Sequence, residues 1–315
     1  MTRNFHQDKH QIVDVKNWLK VEPYDGIFAK GAREKKALYA PGIPEYSFLL
    51  AGTPYLFKES FNRYPWQFWI EIFSYRLGRL IGIEVPSTFV AFDSSRNVYG
   101  ALIQWFYKRS DQYVDGGNIM RSLIPDYESK VGKQHNLQTL INADLDGLEE
   151  LFLDYWSEAL VFDALMGNTD RHHDNWGIIY RYPDQQVRAG MAPLFDNGTS
   201  MGHEIIESNL VDFTPNKLQK YITSKKAKHH ISWDLLDNES LNHSQMVRKF
   251  SEQYPQYLEP MKKLIEFDLA DVNNILHELT QFDIQIPLSK QRAVFMLELI
   301  KARQNELKGV FHEFH

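Results

Sequence analysis

At 315 residues the chain is long enough for one large domain or two lobes with a substantial core. Apolar residues make up 43% and charged residues 24%, which excludes a disordered polymer, and a net charge of −6 offers no overall basic surface to nucleic acid or membrane. Without cysteine there are no disulfides or thiolate metal sites, the first ten residues lack the apolar core of a secretion signal, and no stretch nears the ~20 apolar residues of a membrane span, so a soluble cytoplasmic protein is expected.

Residues 46–60 read as two strands joined at Ala51-Gly52-Thr53, with Lys58 ending the second beside Tyr55, Leu56 and Phe57. A lysine there is ordinarily surface. In a phosphoryl-transfer enzyme a strand lysine pairs with the α- and β-phosphates and is oriented by a glutamate on the next helix. A helix is predicted over 65–81: Pro65 suits its first turn, Gly82 its end, and Trp66, Trp69, Ile70, Phe73, Leu77, Leu80 and Ile81 form one apolar stripe. Glu71 lies off that stripe, either solvated or turned toward a cleft. Residues 87–92 and 97–106 are β-rich runs around an Asp-Ser-Ser-Arg turn. Strand, strand with lysine, helix with glutamate, strand, strand is the order of a protein-kinase small lobe. Gln104 to Tyr107, with Phe106 among them, then stand where adenine lies along a hinge, and residues 30–39 hold the place of a phosphate-covering loop with a single glycine.

Residues 111–143 are turn-rich, with Asp115-Gly-Gly-Asn118 as their clearest punctuation. Asp146 and Glu149 suit a capping box ahead of a buried helix on Leu148, Leu151, Phe152, Tyr155, Ala159, Phe162 and Leu165 that ends near Gly167. That helix delivers Met166-Gly-Asn-Thr-Asp-Arg-His-His-Asp-Asn-Trp176, and Phe195-Asp-Asn-Gly198 follows. One reading is an Asn/Asp-rich turn between strands. The other assigns Asp170 to accept the proton of an attacking hydroxyl and Asn175 with Asp196 to hold Mg²⁺ against nucleotide phosphates. Asp-x-x-x-x-Asn is the spacing of the kinase catalytic loop, and Asp-Asn-Gly stands where a kinase has Asp-Phe-Gly. The strongly apolar sequence on both sides favours the second. A hairpin of 176–180 with 191–195 brings Asn175 and Asp196 to one ion, whose oxygen donors suit Mg²⁺. The doublets His172-His173 and His229-His230 lack i, i+4 ligand spacing and read as solvated or hydrogen-bonding histidines. The basic run 224–230 reads as a solvated loop, with docking of an acidic or RNA-bound substrate as the alternative. Ser289 caps a last helix whose Ala293, Met296, Leu297 and Ile300 share a face, and Gly309 ends it.

In this order, Gly31-Ala-Arg-Glu-Lys-Lys-Ala-Leu38, Leu56-Phe-Lys58, Glu71 with Leu80-Ile-Gly-Ile-Glu-Val85, Gly167-Asn-Thr-Asp-Arg-His-His-Asp-Asn175 and Pro193-Leu-Phe-Asp196 resemble the HipA-like serine/threonine kinases from about residue 30 onward. The resemblance implies an α+β, two-lobed protein-kinase-like fold, with a small β-rich N-lobe over 1–106 and a larger, mostly helical C-lobe over 107–315. It implies ATP with Mg²⁺ and phosphorylation of a protein serine or threonine. In the best-known members this makes a toxin that modifies an aminoacyl-tRNA synthetase and is held by a DNA-binding antitoxin. The implied partners are therefore a protein substrate, an aminoacyl-tRNA synthetase or other translation factor, and an antitoxin, with no direct nucleic-acid or membrane contact. Carried over, Asp170 is the general base, His172 braces its loop, Asn175 and Asp196 are the metal ligands, and Lys58 binds phosphate with Glu71 as its ion-pair partner. Gly31, Ala32, Arg33 and Lys35 cover the phosphates, and Gln104 and Phe106 belong to the nucleotide hinge.

Three departures stand out. The chain leaves no room for the additional N-terminal subdomain of full-length HipA. No serine or threonine lies between Val21 and Tyr39 to be phosphorylated in the covering loop. Arg171 beside the base also makes the stretch similar to the Asp-Arg-His-x-x-Asn of phosphoinositide kinases, so a lipid or small-molecule kinase is the second reading, and a nucleotide-binding pseudokinase the third.

Overall fold

The computed structural model describes residues 6–22, 35–128, 134–143, 147–224, 226–236 and 241–314. Gly31, Ala32, Arg33 and Asp146, singled out from the sequence, lie outside these residues. Around the first long helix the β-rich sequence builds six strands. β1 (Val13–Asp14), β2 (Leu19–Lys20), β3 (Lys35–Tyr39) and β4 (Pro54–Glu59) precede α1 (Phe68–Ile81), and β5 (Thr88–Asp93) and β6 (Val98–Gln104) follow it. The sheet runs β1-β5-β6-β4-β3-β2. β4 is therefore interior, with Lys58 opposite Lys35 on one side and Ala101 on the other. A lysine read as a strand-end residue thus sits in mid-sheet, where solvent cannot reach it from an edge.

The strand paired with β4 differs from the expected one. Residues 46–50 form turns, and the partner is β3, the stretch read as a covering loop. Pro41, Gly42 and Pro44 explain this: a proline has no N–H to give a ladder, and the run after Tyr39 cannot continue as a strand. Phe48 and Leu49 stay buried all the same, packed as loop side chains beneath the sheet. α1 starts from a 3-10 turn at Pro65–Gln67 and stops at Gly82, whose φ of 81° is the left-handed cap expected there.

The helical lobe follows with β7 (Gln112–Asp115), α2 (Gly116–Leu123), α3 (Leu137–Ile141), α4 (Glu149–Met166), the hairpin β8 (Gly177–Arg181) and β9 (Arg188–Met191), α5 (Pro215–Ile222), α6 (His243–Gln253), α7 (Leu258–Lys263), α8 (Leu269–Leu279) and α9 (Lys290–His312). The hairpin forms with its second strand at Arg188–Met191 in place of the expected 191–195, and it gains β7 as a third strand. What read as a turn at Asp115-Gly-Gly-Asn118 is a helix start, with Asp115 accepting the N–H of Asn118 at 2.8 Å. Its glycines serve packing. A Cβ on Gly116 would lie 2.1 Å from the Trp176 ring, and one on Gly117 would lie 2.6 Å from His173, so α2 rests directly on the catalytic stretch. α4 begins with Leu148 in the cap position and no side-chain cap bond, in place of the expected capping box.

Ser289 caps α9 as read, its Oγ accepting from Arg292 N at 3.0 Å. The helix continues past Gly309 to His312 because Val310 and Phe311 are buried, and that burial outweighs the roughly 1 kcal/mol glycine costs in a helix interior. α8 packs on both α1 and α9, which brings the C-terminal helices against the β-rich lobe. Among the described residues no helix is long and apolar enough to cross a membrane.

Candidate active site

Lys58 is the centre of the site. It is 3% exposed, and its Nζ donates to Glu71 Oε1 at 2.6 Å and to Asp196 Oδ1 at 2.5 Å. A buried ammonium is tolerable only with such partners, and two carboxylates on one cation leave this cluster net negative beside the cleft. Glu71 is buried too, and its second oxygen accepts the backbone N–H of Asn197 at 3.1 Å. One glutamate on α1 therefore holds both the strand lysine and the Asp-Asn-Gly loop. Asp196 takes a left-handed φ of 57°, an uncommon conformation for a non-glycine residue that the surrounding bonds must maintain.

The stretch from Gly167 to Trp176 is braced by its own polar side chains. Asn168 Oδ1 accepts Asp170 N at 3.0 Å, Asn175 Nδ2 donates to the Asp170 carbonyl at 2.7 Å, and His172 Nδ1 accepts Asp174 N at 3.2 Å. Arg171, between them, faces inward and is fully buried. Its Nε and one Nη2 hydrogen go to the two oxygens of Asp163 at 3.0 and 2.7 Å, and Nη2 also donates to Asn197 Oδ1 at 2.7 Å. Nη1 donates to the carbonyls of Phe195 at 2.5 Å and Asn175 at 3.3 Å. All five N–H groups are thereby engaged. Burial pushes this guanidinium down, but the Asp163 charge outweighs it and holds it above its ordinary value. Arg171 ties the end of α4, the 167–176 stretch and the Asp196 loop into one unit.

A cavity of about 360 Å³ opens between the lobes. Of the predicted residues, Lys35, Lys58, Gln104, Phe106, His172, Asn175 and Asp196 line it, Glu71 is bonded to Lys58, and Asp170 is half-buried and outside the lining. Sequence reasoning missed much of the wall: Leu56 and Ile103 from the sheet, Tyr113 and Phe195 from the helical lobe, and the carboxylates Asp111, Asp115 and Asp174. Phe106 packs on Phe195 at 5.0 Å between centroids and edge-on to Tyr113 at 5.9 Å, so an aromatic surface runs from the hinge to the residue before Asp196. The hinge N–H groups of Gln104 and Trp105 are committed to Ser87 and Pro54 carbonyls. The donor set fits a hard divalent ion. Asn175 turns its NH₂ to the loop, leaving the carboxamide oxygen for the cavity, and Asp196 adds a carboxylate. Among the described residues no three His, Asp or Glu side chains form a cation site alone. An ion here takes further oxygens from a bound phosphate, as Mg²⁺ characteristically does.

His172 makes a hydrogen bond as expected, but two other histidines of the doublets depart from expectation. His173 and His229 are buried rather than solvated. His229 lies 3.8 Å from Asp163 and edge-on to His243 at 4.4 Å, and burial pushes it down to about 3. His243 in turn meets the Asn168 carbonyl at 2.8 Å. The basic run is thus anchored beside the catalytic stretch, with His230 packed at 5.8 Å on His172.

A β-rich lobe and a helical lobe, meeting at a buried lysine–glutamate pair with Asp196 at its edge, define the protein-kinase-like class. Residues 27–262 match the HipA-like C-terminal domain family, and the chain belongs to it. Its structure is similar to that of the Helicobacter pylori proinflammatory kinase CtkA, with a TM-score of 0.73 at 16% identity over 96% of this chain and 98% of that one. It is also similar to Shewanella oneidensis MR-1 HipA, seen with HipB and operator DNA as a toxin–antitoxin system, with a TM-score of 0.53 at 12% identity over 91% of this chain and 66% of HipA. At such identities the likeness is one of fold. No curated protein sequence matches the chain.

Proposed function

We propose that the chain is an ATP- and Mg²⁺-dependent protein serine/threonine kinase. The observation that carries this reading is Lys58, buried in mid-sheet and held by Glu71 and Asp196 at the edge of a cavity that Asn175 shares. Asp196 and Asn175 would hold Mg²⁺, which neutralises charge on the transferring phosphoryl group. Lys58 orients the α- and β-phosphates, Lys35 borders the same space, and Gln104 and Phe106 meet the adenine. Asp170 accepts the proton of the acceptor hydroxyl, and His172 keeps its loop in shape. Arg171, the residue shared with phosphoinositide kinases, has no donor left for a lipid phosphate, so it lends nothing to a lipid substrate. Family membership and the likeness to HipA support a toxin role with an antitoxin partner and a protein of translation, such as an aminoacyl-tRNA synthetase, as target. A lobe boundary near residue 106 belongs to the same reading.

Purified chain given γ-labelled ATP, Mg²⁺ and cell lysate is expected to put label into protein as phosphoserine or phosphothreonine. Label in the organic extract instead would refute the protein-kinase reading. The aromatic surface gives a second expectation: Phe106→Ala raises KM for ATP roughly 5- to 30-fold, the ~1–2 kcal/mol of a lost base–aromatic contact, with kcat little changed. Steady-state kinetics in ATP checks this, and an unaltered KM would remove Phe106 from the nucleotide site.

A further inference from the structure

In protein kinases the glutamate-bearing helix must be in position for the lysine–glutamate pair to form, and its movement is a common control point. Here three polar side chains at the start of that helix cross to the other lobe. Trp66 Nε1 donates to the His203 carbonyl at 3.0 Å, Gln67 Nε2 to the Gly198 carbonyl at 2.9 Å, and Trp69 Nε1 to the Ile286 carbonyl at 2.8 Å. The acceptors belong to three segments: the loop just after Asp196, its continuation, and the stretch between α8 and α9. The rings add to this, with the Arg292 guanidinium 4.2 Å over Trp66 and Phe282 edge-on to Trp69 at 5.6 Å. The far side of the helix is fastened as well. Arg76 donates to the Gln7 carbonyl at 3.1 Å, and the Gln7 amide bonds both the N–H and the carbonyl of Val90 in β5.

Gln67 makes the functional case. It is 1% exposed, and its Oε1 is buried without a hydrogen-bond partner among the described residues. An apolar residue would fill that space without an unpaired oxygen of its own and would give up only the bond to the Gly198 carbonyl, so packing alone does not call for the amide. What the amide supplies is a bond from the Glu71 helix to the loop that presents Asp196. We propose that Trp66, Gln67 and Trp69 are positioning residues that lock α1 to the helical lobe, so that Lys58, Glu71 and Asp196 stand assembled in the free chain and helix swing is not its switch. This rests on the kinase reading.

The test is a double-mutant cycle on the full chain, below the melting temperature of every variant. Gln67→Met removes one donor at nearly constant volume, and Trp69→Phe removes the other while keeping one aromatic ring at that position. Together they are expected to lower kcat/KM for ATP about tenfold, and to have less than about a twofold effect in a Glu71→Gln background, because the loss acts through Glu71. Equal losses in both backgrounds, or none in either, overturn the proposal. Hydrogen exchange decides independently should Glu71→Gln turn over too slowly to measure: α1 amides are expected to exchange faster in the double variant, and unchanged protection overturns the proposal. Wild-type chain with no phosphoryl transfer would instead bring down the kinase reading on which the proposal stands, a distinguishable outcome.

Discussion

An Asp170→Ala chain is expected to transfer phosphate about 10²- to 10⁴-fold more slowly than wild type while still being stabilised normally by Mg²⁺–ATP. The separation follows from where the two ends of Asp170 go. Its carbonyl, not its carboxylate, receives the Asn175 amide at 2.7 Å, so truncating the side chain leaves Asn175 in place. Nor does Asp170 line the nucleotide cavity. Asp196→Asn is expected to behave differently. It weakens the ion site and a bond to buried Lys58 together, so the thermal stabilisation by Mg²⁺–ATP disappears along with turnover. Single-turnover rates set beside nucleotide-dependent melting curves distinguish the two. A wild-type rate in Asp170→Ala would remove that residue as the base, and unchanged Mg²⁺–ATP stabilisation in Asp196→Asn would remove the metal assignment.

That Lys58, Glu71, Asn175 and Asp196 come together was legible for one reason: the residue types and short spacings that phosphoryl transfer would need are written locally. Asp170 with Asn175, or Lys58 ahead of a helix bearing Glu71, can be read without knowing what packs on them. Helix α1 was legible through Pro65, Gly82 and its apolar stripe, and α9 through Ser289. The failures have other causes. The partner of β4 turned on Pro41, Gly42 and Pro44, a local signal left unweighed, and the continuation of α9 past Gly309 on the burial of Val310 and Phe311, which only the folded chain shows. The hinge aromatics meet Phe195 and Tyr113 only in the folded chain. His229 read as part of a basic loop, yet it is the anchor of that loop. Another signal was present and passed over: Asp163 interrupts the apolar run of α4 at a position its neighbours bury on both sides. A carboxylate there implies a buried cation, and Arg171, eight residues on, is that cation.

That pair has a measurable consequence for stability. Arg171→Met is expected to destabilise the fold by about 3–5 kcal/mol, since it leaves the buried Asp163 carboxylate without its charge partner and strands the Phe195 and Asn197 oxygens. For a chain of 315 residues that is a melting temperature roughly 5–8 °C lower. The cost arises from the abandoned charge more than from the lost attraction. Asp163→Leu combined with Arg171→Met is therefore expected to regain a good part of the stability without regaining activity, because the metal loop still lacks its tie to the catalytic stretch. A substrate-facing arginine predicts the opposite pattern, with lost activity at unchanged stability. Thermal unfolding of the single and double variants thus bears on both questions. If Arg171→Met melts with wild type, or the double variant is no better than the single, then Arg171 is not the internal tie described here, and the case against a lipid substrate goes with it.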